Sequence, residues 1–228
     1  MQGKLGRRYL IVVAGGTGTR MQSAVPKQFM TIGGIPVLAH TLKRFSDWDP
    51  HLEIVVVMHQ DWIEQWKVLS SQFCPDIMHS VVAGGKERFD SVKAGLALVK
   101  DSSAIVGIHD AVRPLVSADT LMRCFDTAQS KGSAIPCVPV TDSIRVIDDN
   151  GSRHMDRAML RAVQTPQCFM YSVLLKAYEQ DFKASFTDDA SVVEEAGFQV
   201  HLVEGNRENI KITNPEDIAV AESLLLKL

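Results

Sequence analysis

The 228-residue sequence predicts an α/β fold in which a mostly parallel sheet is covered by helices on both faces. Three features carry that expectation. Short apolar runs rich in branched residues alternate with segments of helical spacing, the order that builds a parallel sheet. A glycine-rich turn, Ala14-Gly15-Gly16-Thr17-Gly18, follows the first apolar run directly. The alternation breaks once, after Pro139, where a hairpin pattern takes over.

In chain order, strands are expected at Tyr9–Val13, Glu53–Met58, Ser80–Ala83, Ala104–Ile108 and Ala134–Pro139. Helices are expected between them at Val37–Phe45, Trp62–Phe73, Arg88–Val99 and Thr120–Lys131. Phe89, Val92, Leu96 and Val99 recur at helical spacing, and Ser117-Ala118-Asp119 supplies a helix start. Residues 143–147 then alternate like a strand, Asp148-Asp149-Asn150-Gly151 reads as a tight turn, and the chain returns through Arg153 to Arg157. This hairpin, at about residues 140–160, does not continue the βα rhythm and is expected to project as an arm that pairs with a partner subunit, because an isolated hairpin is marginal in water. Helices at Ser172–Phe182 and Asp188–Ala196, a strand at Gln199–Val203, a short strand at Ile210–Thr213 and a last helix opened by Asn214-Pro215-Glu216 complete the reading. The whole describes one Rossmann-like domain with a protruding β-hairpin arm, whose ligand crevice lies beyond the carboxyl ends of the strands.

Composition narrows the partners. A net charge of −3 lacks the basic footprint of a nucleic-acid binder. No stretch approaches the roughly 20 apolar residues of a membrane span. The apolar run after Arg7 and Arg8 is shorter than a signal-peptide core and ends in glycines, so it reads as a first strand. The four cysteines, Cys74, Cys124, Cys137 and Cys168, are widely spaced without a Cys-x-x-Cys pair and read as buried thiols of a cytoplasmic protein.

Chemistry concentrates in the loops that follow strands. Backbone N–H groups of a glycine turn approach phosphate oxygens closely, and Arg20 and Lys27, a short loop apart, are two cations able to hold a polyphosphate between them. The turn is not a dinucleotide fingerprint, since Met21 stands at the third glycine position and no carboxylate ends the second strand. It also lacks the Gly-Lys-Ser/Thr ending of a P-loop. A second turn, Gly84-Gly85-Lys86-Glu87-Arg88-Phe89-Asp90-Ser91, offers N–H groups and a hydroxyl to a base or ribose, or serves only as a turn. In His109-Asp110-Ala111-Val112-Arg113-Pro114, Asp110 stands at a strand's carboxyl end, where a carboxylate can hold Mg²⁺ directly or through water. Alternatively it pairs with Arg113. Thr187 to Ser191 reads as a helix cap.

No zinc spacing, nucleophile elbow or general base stands out. That suits a nucleophile that is already ionised. A phosphate monoester, with its second pKa near about 6, is mostly a dianion at neutral pH, and catalysis then needs alignment and charge neutralisation.

The ordered set Gly18-Thr19-Arg20-Met21, Pro26-Lys27-Gln28, Gly85 to Ser91, His109 to Pro114, Thr165-Pro166-Gln167, Thr187 to Ser191 and Asn209-Ile210-Lys211 closely resembles the bacterial 2-C-methyl-D-erythritol 4-phosphate cytidylyltransferases of the non-mevalonate isoprenoid pathway. The resemblance runs from Tyr9 to about Leu226. It implies that CTP lies along Ala14, Gly15, Gly16 and Gly18 with its base near Gly84, Gly85 and Ser91, and that Mg²⁺ binds near Asp110. It implies that Arg20 and Lys27 stabilise the transition state at the α-phosphorus. Arg157 and Lys211 would position the phosphate of methylerythritol phosphate for in-line attack, with Arg113 and Thr165 also in the acceptor site. The hairpin is implied to be the arm of a homodimer, through which Arg157, Asp142 and Ser143 serve the neighbouring subunit. Val13-Ala14-Gly15-Gly16, where many relatives have Pro-Ala-Ala-Gly, is similar to the ribitol 5-phosphate cytidylyltransferases. Asp156-Arg157 and Thr187-Asp188-Asp189-Ala190-Ser191 are similar to the methylerythritol enzymes. A nucleotide-binding regulator without turnover is the reading from another class, against which the intact Arg20, Lys27, Asp110 and Lys211 stand.

Overall fold

A computed structural model describes residues 6–15, 26–149 and 151–226. Gly16, Gly18 and Arg20 lie outside the described residues.

The first half follows the expected rhythm. Strand β1 (Arg8–Ala14) leads, by way of a small ribbon of β2 (Thr31–Ile32) and β3 (Ile35–Pro36), to α1 (Val37–Trp48). Then come β4 (Glu53–Met58), α2 (Ile63–Phe73), β5 (His79–Ala83), α3 (Arg88–Leu96), β6 (Ile105–Asp110), α4 (Ala118–Lys131) and β7 (Ser133–Pro139). The hairpin strands are β8 (Ile144–Asp148) and β9 (Gly151–Met155). The chain ends with β10 (Arg161–Val163), β11 (Gln167–Met170), α5 (Tyr171–Ala177), α6 (Asp189–Glu195), β12 (Leu202–Glu204) and α7 (Glu216–Leu225).

The main sheet runs β10-β7-β11-β6-β1-β4-β5, with β12 beside β7. Strands β5, β4, β1 and β6 are mutually parallel. Between β6 and β7 lies β11, antiparallel to both. This strand is absent from the sequence expectation, because Gln167-Cys168-Phe169-Met170 is too short to show a period. Its effect is large: it brings Thr165 beside the end of β6.

Period-two alternation in β1 sends Leu10, Val12 and Ala14 to one core and Tyr9 and Ile11 to the other. On the first face pack Leu38, Leu42 and Phe45 of α1, Trp66 of α2 and Phe125 of α4. On the second pack Phe89 and Val92 of α3, Leu174 of α5 and Val193 of α6. Helices therefore cover both faces. Burying a large apolar side chain contributes roughly 1.5–3 kcal/mol, so these two layers fix the strand ends that carry the site. At Gly95 a Cβ would stand 2.7 Å from Ile11 Cγ2, which is why α3 can close on β1 only with glycine there. Helix α4 starts as expected, with Ser117 Oγ accepting from Thr120 N–H at 3.2 Å, and it stops at Gly132 with φ +91°.

Some expectations are corrected. The strand expected at Ile210–Thr213 does not form: Ile212 N–H bonds to the carbonyl of Val112 at 3.0 Å, but Val112 belongs to a loop and offers no ladder to extend. Lys211 is accordingly a loop residue. The last strand is shifted to Leu202–Glu204, where it pairs in parallel with Ile135 to Cys137. The helix expected at Ser172–Phe182 ends at Ala177, and Arg88–Val99 ends at Leu96. The arm forms as expected, β8 and β9 making their own two-stranded sheet with no buried residue among those described from 144 to 155.

Candidate active site

At the carboxyl ends of β1, β4, β5 and β6 opens a cavity of about 320 Å³ lined by Ala14, Gly15, Lys27, Gly85, Ser91, Asp110 and Lys211. Ala14 and Gly15 face the second glycine turn across it. A Cβ at Gly84 would stand only 2.7 Å from Ser91 Oγ, so the turn closes on Ser91 only with glycine there, while one at Gly15 would lie 3.6 Å from the same atom, in ordinary contact. Ser91 Oγ accepts from Gly85 N–H at 3.3 Å and donates to the carbonyl of Glu87 at 3.1 Å. A capping box between Glu87 and Asp90 holds the start of α3. Lys27 opens a single 3-10 turn whose neighbours are anchored: Gln28 is buried with Nε2 on the carbonyl of Ala14 at 3.0 Å, and Phe29 stacks on Trp66.

A second cavity of about 240 Å³ adjoins the first, lined by Arg113, Thr165, Gln167, Thr187 and Asp188. Arg88, Asp110 and Lys211 line both cavities. Asp110 thus stands where they meet. Its Oδ2 takes Arg113 Nε at 3.1 Å and Lys211 Nζ at 3.0 Å. Burial opposes its ionisation, yet Lys211, Arg88 and Arg113 together outweigh that and hold the carboxyl well below the usual range.

Side-chain contacts tie the walls between the loops together. Arg88 forms a two-point ion pair with Asp189, Nη1 on Oδ1 at 2.8 Å and Nη2 on Oδ2 at 2.6 Å. Tyr178 donates its hydroxyl to the same carboxylate at 2.7 Å. Burial works against the guanidinium's charge, but Asp189 more than compensates and pushes its pKa up. Asp188 caps α6 through Ser191 N–H at 2.9 Å and accepts from Gln167 Nε2 at 2.8 Å, while Gln167 Oε1 accepts from Ala190 N–H at 2.9 Å. The helix cap read in Thr187 to Ser191 is therefore present.

Of the residues singled out in the sequence, Ala14, Gly15, Lys27, Gly84, Gly85, Ser91, Asp110, Arg113, Thr165 and Lys211 come together around these two cavities. Arg157, Asp142 and Ser143 do not. They lie exposed at the base of the arm, with Arg157 Nη1 donating to the carbonyl of Thr141, and line neither cavity. Sequence reasoning missed Arg88 and its partner Asp189. Both stand inside quoted motifs, but their meeting joins positions 101 residues apart, which no local spacing shows.

The donor set bears on a divalent cation. Among the described residues no group of three or more His, Cys, Asp and Glu is placed to hold a metal. Asp110, with its ion pairs to Arg113 and Lys211 both on Oδ2, fits an ion that keeps water and substrate phosphates as its main ligands, as Mg²⁺ does.

Against known proteins, residues 9–227 match the family model described as 2-C-methyl-D-erythritol 4-phosphate cytidylyltransferase. The enzyme of that name from Bacteroides thetaiotaomicron is 46% identical over 219 residues, covering 96% of this chain and 100% of the relative. That from Bacteroides fragilis is 48% identical over 218 residues, covering 96% and 99%. Among solved structures, the 4-diphosphocytidyl-2C-methyl-D-erythritol synthase of Anaerococcus prevotii superposes with a TM-score of 0.82 at 28% identity, covering 97% of this chain and 96% of its own. The Thermus thermophilus 2-C-methyl-D-erythritol 4-phosphate cytidylyltransferase gives 0.76 at 30% identity, covering 96% and 98%. With its sheet order, its paired cavities and these relatives over nearly its whole length, the chain belongs to the 2-C-methyl-D-erythritol 4-phosphate cytidylyltransferase family.

Proposed function

We propose that this chain transfers the cytidylyl group of CTP to 2-C-methyl-D-erythritol 4-phosphate within one domain, with CTP in the larger cavity and the alcohol phosphate in the smaller. The observation that carries the assignment of substrates to cavities is their common wall of Arg88, Asp110 and Lys211. Two polyanions must be brought together there, and cations on both sides of the junction offset their repulsion.

The phosphate oxygen of the alcohol attacks the α-phosphorus. A new P–O bond forms, the bond from the α-phosphorus to the bridging oxygen breaks, and pyrophosphate leaves with the electron pair. The product is 4-diphosphocytidyl-2-C-methyl-D-erythritol. No proton has to be removed from the nucleophile, so the reaction needs no poised base. Lys27, and Arg20 from the glycine turn, neutralise charge that builds on the phosphate under attack. Lys211 and Arg113 orient the incoming phosphate. Asp110 would hold Mg²⁺ together with triphosphate oxygens, and the bound ion would neutralise phosphate charge as a Lewis acid.

Arg157, Asp142 and Ser143 sit on the exposed arm, so in this reading they complete the site of a second copy in a homodimer. A cytoplasmic location goes with the buried, unpaired state of all four cysteines. No helix of the described residues is long and apolar enough to cross a membrane.

The test is CTP- and Mg²⁺-dependent pyrophosphate release measured in parallel with 2-C-methyl-D-erythritol 4-phosphate and ribitol 5-phosphate. The expected result is a large preference for the first. Preference for ribitol 5-phosphate would reassign the acceptor, and CTP binding without turnover on either would make the chain a nucleotide-binding regulator.

A further inference from the structure

Behind Asp110 lies a closed circuit of hydrogen bonds, of which Arg113 and Thr165 line the smaller cavity while His109 and Asn209 line neither. His109 is fully buried, on the opposite face of β6 from Asp110, with its ring edge-on to Phe45. Its Nε2 is 3.0 Å from the carbonyl oxygen of Arg113, and its Nδ1 is 3.0 Å from Thr165 Oγ1. Asn209 Nδ2 donates to the carbonyl of Thr165 at 2.8 Å, and Arg113 Nη1 donates to the carbonyl of Asn209 at 2.8 Å. The circuit therefore runs His109, Thr165, Asn209, Arg113 and back to His109.

Donor and acceptor chemistry fixes every proton in it. A carbonyl oxygen only accepts, so Nε2 carries the hydrogen and Nδ1 of the neutral ring is bare. Nδ1 must then accept the hydroxyl proton of Thr165. That agrees with the remaining contact, in which Thr165 Oγ1 accepts from Asp110 N–H at 3.0 Å. The Thr165 hydroxyl has thus committed its proton away from the cavity. Toward a ligand it offers only a lone pair.

We propose that His109 is a positioning residue for the acceptor half of the site: by taking the Thr165 proton and holding the Arg113 carbonyl, it fixes Arg113 in place and Thr165 as a pure hydrogen-bond acceptor, which selects a ligand presenting a phosphate to the first and a hydroxyl to the second. The inference rests on the assignment of the smaller cavity to the alcohol phosphate. It predicts that Thr165 reads a hydroxyl of the acceptor and never donates to its phosphate.

The test has two arms. Long-range ¹H–¹⁵N spectra of the ligand-free protein should show a protonated Nε2 and a bare Nδ1 for His109, with the Nδ1 resonance moving in Thr165→Val. A protonated Nδ1 overturns the inference whatever the enzyme turns over. In steady-state kinetics, His109→Phe leaves the Thr165 hydroxyl proton and the Arg113 carbonyl without their partners and should lower kcat/KM for the acceptor by roughly 10–100-fold, the usual effect of orphaning such groups. The KM for CTP should stay within about threefold. His109→Gln, which keeps one donor and one acceptor, should recover part of the loss. Combining His109→Phe with Thr165→Val should lose less than the product of the two single losses. If the losses multiply, or CTP and acceptor suffer alike, His109 is only a core residue and the inference falls. Should His109→Phe fail to fold, Thr165→Val against Thr165→Ser decides it: Ser keeps the acceptor and should retain activity toward the alcohol phosphate, and equal losses in both overturn the proposal. Wild-type turnover separates this failure from failure of the functional reading, since the spectral arm needs no substrate.

Discussion

Arg88 and Asp189, 101 residues apart, meet through two parallel hydrogen bonds at 2.8 and 2.6 Å and so tie the start of α3 to the start of α6. The first helix start carries Ser91 and the glycine turn of the larger cavity, and the second carries the Thr187 and Asp188 wall of the smaller. Asp189 is wholly buried, whereas the Arg88 side chain is about one-third exposed at 31%. The pair therefore fixes the distance between the two cavities as well as the fold.

Asp189→Ala should destabilise the protein by about 2–3 kcal/mol, toward the lower side of what breaking a buried pair costs, because Arg88 can still reach water. Tyr178 loses its acceptor in the same change. Urea unfolding checks the stability, and KM values for both substrates should rise together. Arg88→Lys should reproduce much of the kinetic defect, since an ammonium cannot replace a two-point fork. Normal KM values in both variants would confine the pair to a structural role.

Lys27→Ala should lower kcat by roughly 10²–10³, the loss typical of removing one transition-state donor. The 3-10 turn should survive, because Gln28 on the Ala14 carbonyl and Phe29 on Trp66 anchor it. Steady-state kinetics with varied CTP checks it. A change confined to KM would contradict a transition-state role.

Much of this was legible in the sequence, and the misses have a common cause. Strands β1 and β4 to β7 and helices α1 to α4 carry enough residues for their period to be read. Elements of two to four residues, such as β2, β3, β10 and β11, carry too few. The sequence reading sets Lys211 inside a short strand at Ile210–Thr213. The partner that would make it one is a loop, and what holds Lys211 is Asp110. The loops bearing Lys27, Ser91 and Asp110 were found from glycines and charge. Arg88, Asp189 and His109 act through partners brought close by tertiary packing, and single-chain spacing has no signal for that.

Arg157→Ala should impair use of the acceptor while leaving CTP binding intact. Arg157 lies exposed in a 3-10 turn just after the hairpin, at the base of the arm, and lines neither cavity of its own chain. If the arm reaches into a second copy, a heterodimer of Lys27→Ala and Arg157→Ala chains contains one site with both residues intact. Mixing the two inactive proteins under subunit exchange should then restore activity. No recovery, with heterodimers demonstrated by mass, would place Arg157 in the service of its own chain.

Acid should weaken the fold before any carboxylate titrates. Burial pushes the His109 pKa down to about 4, against roughly 6.5 in an unfolded chain. Between those values the unfolded state binds a proton that the folded state does not, so stability is complete above about pH 6.5 and falls as the pH drops toward 4. A gap of that size corresponds to roughly 3 kcal/mol. Asp110, held low by Lys211, Arg88 and Arg113, adds a second loss only below the ordinary carboxylate range. Urea midpoints should therefore decline from about pH 7 to about pH 5 in the wild type and decline less in His109→Gln, which has nothing to titrate there. Equal slopes in the two proteins would mean that His109 is not held neutral in the folded state.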